Sequence, residues 1–242
     1  MIDFKQILAS TSLVTGAVIA LSTGSAQAFS LQTGEALGSC DFSQALSSCE
    51  TEDGLRLTAG GQTDSPLLSA KKVGGITGVG VLDKGTNKEI GAGEYLLLEA
   101  TNGPSFFEYI ELSFLYQPEE YDDDVFEVAI LETDKGTGTL TITGDNTAEY
   151  SFNGKTTILN ALSPSTFGNG GSYRIDNPFG NIKVGQVKLT TPTTGENSKQ
   201  HDYSLVAAKA TQDVPEPGSA AAVLGLGLLV ARRSSRKQGV KS

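Results

Sequence analysis

Glu108-Tyr109-Ile110-Glu111-Leu112-Ser113-Phe114-Leu115-Tyr116 decides the fold. Successive side chains of an extended chain point to opposite faces, so Ile110, Leu112, Phe114 and Tyr116 share one face, and that face is expected to go inward. Outward from this stretch, runs of β-branched and aromatic residues recur about every 8–15 residues, separated by Gly, Asn, Asp and Pro clusters. This spacing predicts an all-β sandwich or barrel. Strands are expected over residues 55–59, 76–82, 94–100, 108–116, 125–132, 138–143, 148–153, 156–159, 172–176, 183–190 and 203–209. In Ser151-Phe152-Asn153-Gly154-Lys155-Thr156, Asn-Gly between strand-like flanks predicts a hairpin with a two-residue type I′ turn, whose two central residues both need positive φ. A short helix is expected only between Cys40 and Cys49.

The chain has 242 residues, with 29 glycines and 8 prolines but no Gly-X-Y period, which excludes a collagen-like rod and fits a turn-rich β protein. Its two ends read as targeting segments, leaving one domain over residues 29–213. Of 18 basic residues six lie in the ends (Lys5, Arg232, Arg233, Arg236, Lys237, Lys241), and of 28 acidic residues two do (Asp3, Glu216); the middle keeps 12 against 26, a net of −14. Such a surface repels phosphate backbones, so nucleic acid is not an expected partner. It would attract cations or basic partners, or serve only to keep an exported protein soluble.

The first residues carry Lys5, an apolar stretch best developed over residues 13–21, and then Ser25-Ala26-Gln27-Ala28. The small-x-small signature of Ala26 and Ala28 places signal-peptide cleavage before Phe29, so residues 1–28 are expected to engage an export translocon and a signal peptidase. Cys40 and Cys49, the only two cysteines, lie near the new N-terminus, and in an exported chain the pair suggests a disulfide. A zinc site would need two further ligands, and the single histidine, His201, is far away in sequence.

At the other end, Val214-Pro215-Glu216-Pro217-Gly218-Ser219 leads into an uninterrupted apolar run over residues 220–231 and then Arg232-Arg233. As a helix that run reaches about 18 Å, short of a hydrocarbon core of about 30 Å. The tail, residues 214–242, resembles the PEP-CTERM sorting signal: Val214, Pro215, Glu216 and Pro217 match its motif, residues 220–231 its short helix, and residues 232–237 its basic cluster. The resemblance implies processing by an exosortase, a membrane-embedded cysteine protease of outer-membrane bacteria that make exopolysaccharide. It also implies transient tethering at the inner membrane, then residence at the cell surface or in the extracellular matrix. The middle resembles, less specifically, the folded domains of such proteins, through Gly78-Val79-Gly80-Val81, Glu89-Ile90, Gly93-Glu94 and Asp202-Tyr203-Ser204-Leu205. That likeness implies an antiparallel two-sheet β-sandwich of jelly-roll type, similar in outline to carbohydrate-binding modules. Fold similarity alone confers no sugar binding.

No nucleophile elbow, P-loop, H-E-x-x-H or dinucleotide-binding glycine pattern occurs. His201 sits in a polar stretch, Asn197-Ser198-Lys199-Gln200-His201, and is expected to be an exposed loop histidine. Tyr109, Tyr116, Tyr121, Tyr150, Tyr173 and Tyr203 are the candidate sugar platforms in a chain without tryptophan. The densest acidic cluster is Glu119, Glu120, Asp122, Asp123 and Asp124, read either as a solvated loop or as a calcium site completed by Glu89 or Glu132. The expectation is therefore a non-enzymatic surface or matrix protein, with no catalytic residues and no cofactor beyond that calcium candidate. A carbohydrate-binding module is the alternative, and a glycoside hydrolase built on paired carboxylates comes third.

Overall fold

The computed structural model of the chain describes residues 26–44, 46–83, 88–121, 124–195 and 197–212. In chain order its strands are β1 (Ala26–Ser30), β2 (Ser48–Glu50), β3 (Leu55–Gly60), β4 (Leu67–Val73), β5 (Ile76–Leu82), β6 (Tyr95–Ala100) and β7 (Phe106–Ser113). They continue with β8 (Val128–Thr133), β9 (Gly136–Gly144), β10 (Thr147–Phe152), β11 (Lys155–Asn160), β12 (Tyr173–Asp176), β13 (Gln186–Thr190) and β14 (Ser204–Thr211). One 3-10 turn, Ser198–Gln200, precedes β14. The strands form two antiparallel sheets. The first runs β12-β7-β14-β5-β4, with β1 also on β14; the second runs β11-β10-β9-β8-β13-β6-β3-β2.

Alternation along each strand supplies the core between the sheets. Leu57, Leu98 and Val187 stand in register across β3, β6 and β13, and Leu131 and Leu140 continue the inner face of the second sheet; all are fully buried. Val79, Ile110, Leu112, Ile175 and Leu205 face them from the first sheet within one continuous apolar cluster. This is a β-sandwich, and every strand expected from the sequence falls on an observed one.

Four details differ from the expectation. The strand through Ile110 ends at Ser113, because Phe114 takes a left-handed backbone, φ +62°, which is costly for a bulky residue. The kink inverts the alternation: Leu115 joins the core cluster, whereas Phe114 and Tyr116 are buried outside it. Phe114 N–H and Leu115 N–H are held by the carbonyls of Gly170 and Gly171, at 2.8 and 3.2 Å. Secondly, a disulfide joins Cys40 and Cys49 with their Cα atoms 5.0 Å apart. Among the described residues the segment between them is made of turns and bends, so the expected helix is not found there. Instead Asp41 accepts from Ser43 N–H, Ser43 Oγ and Gln44 Nε2, a local turn that competes with helix formation. Thirdly, β1, β2 and β4 were not foreseen. β4, Leu-Leu-Ser-Ala-Lys-Lys-Val, has weak strand composition and is imposed by pairing with β5 across its whole length. Fourthly, His201 is buried, 8% exposed, not exposed as expected.

Candidate functional site

Among the described residues β11 pairs only with β10, while the facing sheet ends at β12. Between these two edges a groove of about 440 Å³ opens, lined by β10, β11, β12 and residues 177–182. The Asn153-Gly154 turn that forms one end has φ +48° and +76°, the type I′ values that the dipeptide predicts. The opposite wall is fixed by Phe179, which meets Phe152 and Phe107 edge-on at 5.3 and 5.8 Å, and by Tyr150 Oη, which donates to Pro178 O at 3.0 Å. Leu159, Ile175 and Ile182 supply apolar lining; Asn153, Thr157 and Asn181 contribute amides and a hydroxyl. Such a groove is of ligand size, with a few polar groups converging on an apolar surface. Its three aromatic rings, Tyr150, Phe152 and Phe179, are buried and offer no open stacking face.

A second feature lies on the outer face of the first sheet. Gly80 has no side chain, and a Cβ there would come within 2.4 Å of Glu89 Cα, so the glycine lets the segment around Glu89 lie directly on the sheet. Glu89, 1% exposed, places its carboxyl against the Lys71 ammonium of β4. Burial, reinforced by the charge of Asp202, pushes the Glu89 carboxyl up to about 8 against the opposing pull of Lys71. Three other buried acids tie down loops: Asp83 accepts from Gln62 N–H at 2.6 Å, Glu94 from Gly91 N–H at 2.9 Å, and Glu127 from Tyr116 N–H. Their positions are not periodic in sequence. The glycines of Gly78-Val79-Gly80-Val81 were the available signal for Glu89.

The residues singled out by sequence are scattered. Ala26, Ala28 and Phe29 all lie in β1, where Ala28 stands opposite Lys209 and Phe29 opposite Ala208, with the Phe29 ring 2% exposed. Val214, Pro215, Glu216, Pro217, Arg232 and Arg233 lie outside the described residues, as do Asp122 and Asp123. Of the remaining acidic-loop residues, Glu119 has a left-handed backbone, φ +75°. Glu120 Oε2 accepts from Phe167 N–H at 2.7 Å, whereas Asp124 meets Gln200. Glu132 pairs with Lys188, and Glu89 with Lys71. Among the described residues, no group of three His, Cys, Asp or Glu side chains is placed to hold a metal ion.

Of the tyrosines, Tyr173 and Tyr203 are in the core, Tyr116 and Tyr150 are buried, and the Arg174 guanidinium covers Tyr109 at 3.6 Å from the ring centroid. Tyr121 remains exposed, its ring tilted against those of Tyr116 and Phe167 with centroid separations of 4.6 and 4.8 Å. Among the described residues His201 Nδ1 has no hydrogen-bond partner, and burial lowers its basicity.

No protein-family profile matches the chain, and neither a curated protein nor a solved structure matches it. Two facts bear on location. The disulfide points to an oxidising compartment, and among the described residues no helix is long and apolar enough to cross a membrane.

Proposed function

We propose that this is an exported, non-enzymatic protein of the bacterial cell envelope. It is delivered by its N-terminal signal, tethered briefly by residues 220–231, and cut by an exosortase at Val214-Pro215-Glu216-Pro217. The β-sandwich, a jelly-roll type on this reading, is left at the surface or in an exopolysaccharide matrix in a structural or interaction role. The observation that carries the proposal is the order of the tail: a proline-bracketed carboxylate, an apolar run about 12 Å too short for a bilayer core, and a basic cluster that halts transfer. Two structural facts support it. The last strand closes at Thr211, so cutting near Val214 removes no described strand, and the disulfide suits export.

A second reading, a carbohydrate-binding module, is favoured by the groove beside β11, whose amides and hydroxyl suit a polar chain. The test of the main reading is fractionation of cells expressing Glu216→Ala or the double variant Pro215→Ala/Pro217→Ala. Precursor should accumulate in the membrane fraction with its basic tail attached. Unaltered processing of both variants would sink the sorting assignment, and sugar binding would then have to stand on its own.

A further inference from the structure

The strands that end the two sheet paths are not equally protected against pairing with another chain. An edge strand exposes unpaired N–H and C=O groups, which proteins blunt by shortness, by charge or by cover. β2 has three residues and β12 has four, the latter carrying Arg174 and Asp176. β4 carries Lys71 and Lys72 and is bridged at Leu68 by Leu46. β11 is different: it has six residues, Lys-Thr-Thr-Ile-Leu-Asn, with no acidic side chain, and Ile158 is 61% exposed.

The hairpin fixes which of its backbone groups are open. In a two-residue turn the closing pair, Phe152 and Lys155, exchanges hydrogen bonds in both directions, and bonded pairs then alternate. Lys155, Thr157 and Leu159 therefore turn their backbone groups toward β10. Thr156, Ile158 and Asn160 turn theirs outward.

We infer that β11 is a self-association edge, at which two copies of this chain pair antiparallel about a two-fold axis through Ile158 and join their second sheets into one. Residues directly opposite each other must share a face, so the pairing must match residues of the same parity. With Ile158 opposite Ile158 of the second copy, Thr156 meets Asn160 and Thr157 meets Leu159. All the outward backbone groups then find partners in about six hydrogen bonds. Lys155 falls opposite Ala161 of the second copy, so no like charges meet.

Charge favours this edge as the meeting point of two acidic domains. The carboxylate beside Ile158 on the same outward face is Glu149, its partner inside the hairpin. Across the dimer the two Glu149 side chains would be three strand spacings apart, about 14 Å, beyond a physiological screening length of about 8 Å. The contact uses the same patch on both copies, so it closes as a pair and does not propagate.

The test is the molar mass of the full chain by light scattering from micromolar to submillimolar concentration, with Ile158→Lys and Ile158→Cys. The wild type should reach twice the monomer mass and stop. Ile158→Lys, which places two ammonium groups at the axis on an already exposed site, should remain monomeric, with the wild-type melting temperature at the dilute end of the range, where both are monomers. Mild oxidation of Ile158→Cys should give a covalent dimer, since directly opposed Cα atoms about 5.5 Å apart suit a disulfide, and Thr157→Cys should not. A wild type that stays monomeric throughout, a mass that keeps climbing, or a dimer indifferent to Ile158→Lys would each overturn the inference. So would a monomer that instead takes up an added apolar strand peptide on β11.

Discussion

Replacing Glu89 by Gln should remove a pH dependence of stability that the wild type carries between about pH 4.5 and 8. The folded-state carboxyl is raised from 4.5 to about 8 by burial and by Asp202, against the pull of Lys71. Tyr116 also feels this carboxylate, together with that of Glu127. Within that window the unfolded chain has released the Glu89 proton and the folded chain still holds it, so stability falls as pH rises. The rise of roughly 3.5 pH units, at about 1.4 kcal/mol each, sets a ceiling on the order of 5 kcal/mol. Lys71 is 30% exposed, and water around it screens the centre, so about 2–3 kcal/mol is the working expectation. Urea denaturation of the wild type and Glu89→Gln should give similar stabilities near pH 5, where Gln mimics the protonated acid. Near pH 8.5 the variant should be the more stable by that margin. A variant weaker by the same amount at both pH values would refute the reasoning, because Glu89 would then be ionised throughout as an ordinary partner of Lys71.

Other outcomes follow from single contacts. Leu98→Ala, fully buried between Leu57 and Val187, should cost about 2–5 kcal/mol in denaturant unfolding, and a loss well under 1 kcal/mol would contradict its central place. Cys40→Ser with Cys49→Ser should lower stability by about 2.7 kcal/mol, the chain entropy of a ten-residue loop, and free thiols titrating in the native secreted wild type would remove the basis of that figure. Gly154→Ala, at φ +76°, should cost about 1–2 kcal/mol with an unchanged circular dichroism spectrum; no change in the thermal midpoint would argue against the left-handed turn. Gly80→Ala should displace the backbone at Glu89 and flatten the same pH profile that Glu89→Gln flattens; a full wild-type profile would mean that the segment is not seated on the sheet.

Strands with a clear two-residue period were legible because one buried face imposes it: Ile110 and Leu112 went inward as read. The reading failed where tertiary partners override local pattern. Phe114 and Tyr116 lost the alternation because carbonyls of Gly170 and Gly171, far along the chain, hold the backbone at the kink. Local composition gave little sign of β4, which depends on β5, or of β2, which pairs with β3 beside the disulfide loop. Periodicity does not reveal buried acids, since Asp83, Glu94 and Glu127 serve individual loop N–H groups. The groove depends on β11 and β12 ending their two sheets side by side, a property of sheet order that no local window contains. Asn153-Gly154 foretold the hairpin but not what its outer strand leaves open.

The most direct measurement of the central claim is the intact mass, with terminal peptide mapping, of the protein recovered from the cell surface. Export and sorting predict a chain that begins at Phe29, retains the Cys40–Cys49 bond as a two-proton deficit, and ends between Val214 and Pro217. Recovery of the peptide Gln238-Gly239-Val240 in full yield from that material would contradict it and make the tail a resident anchor.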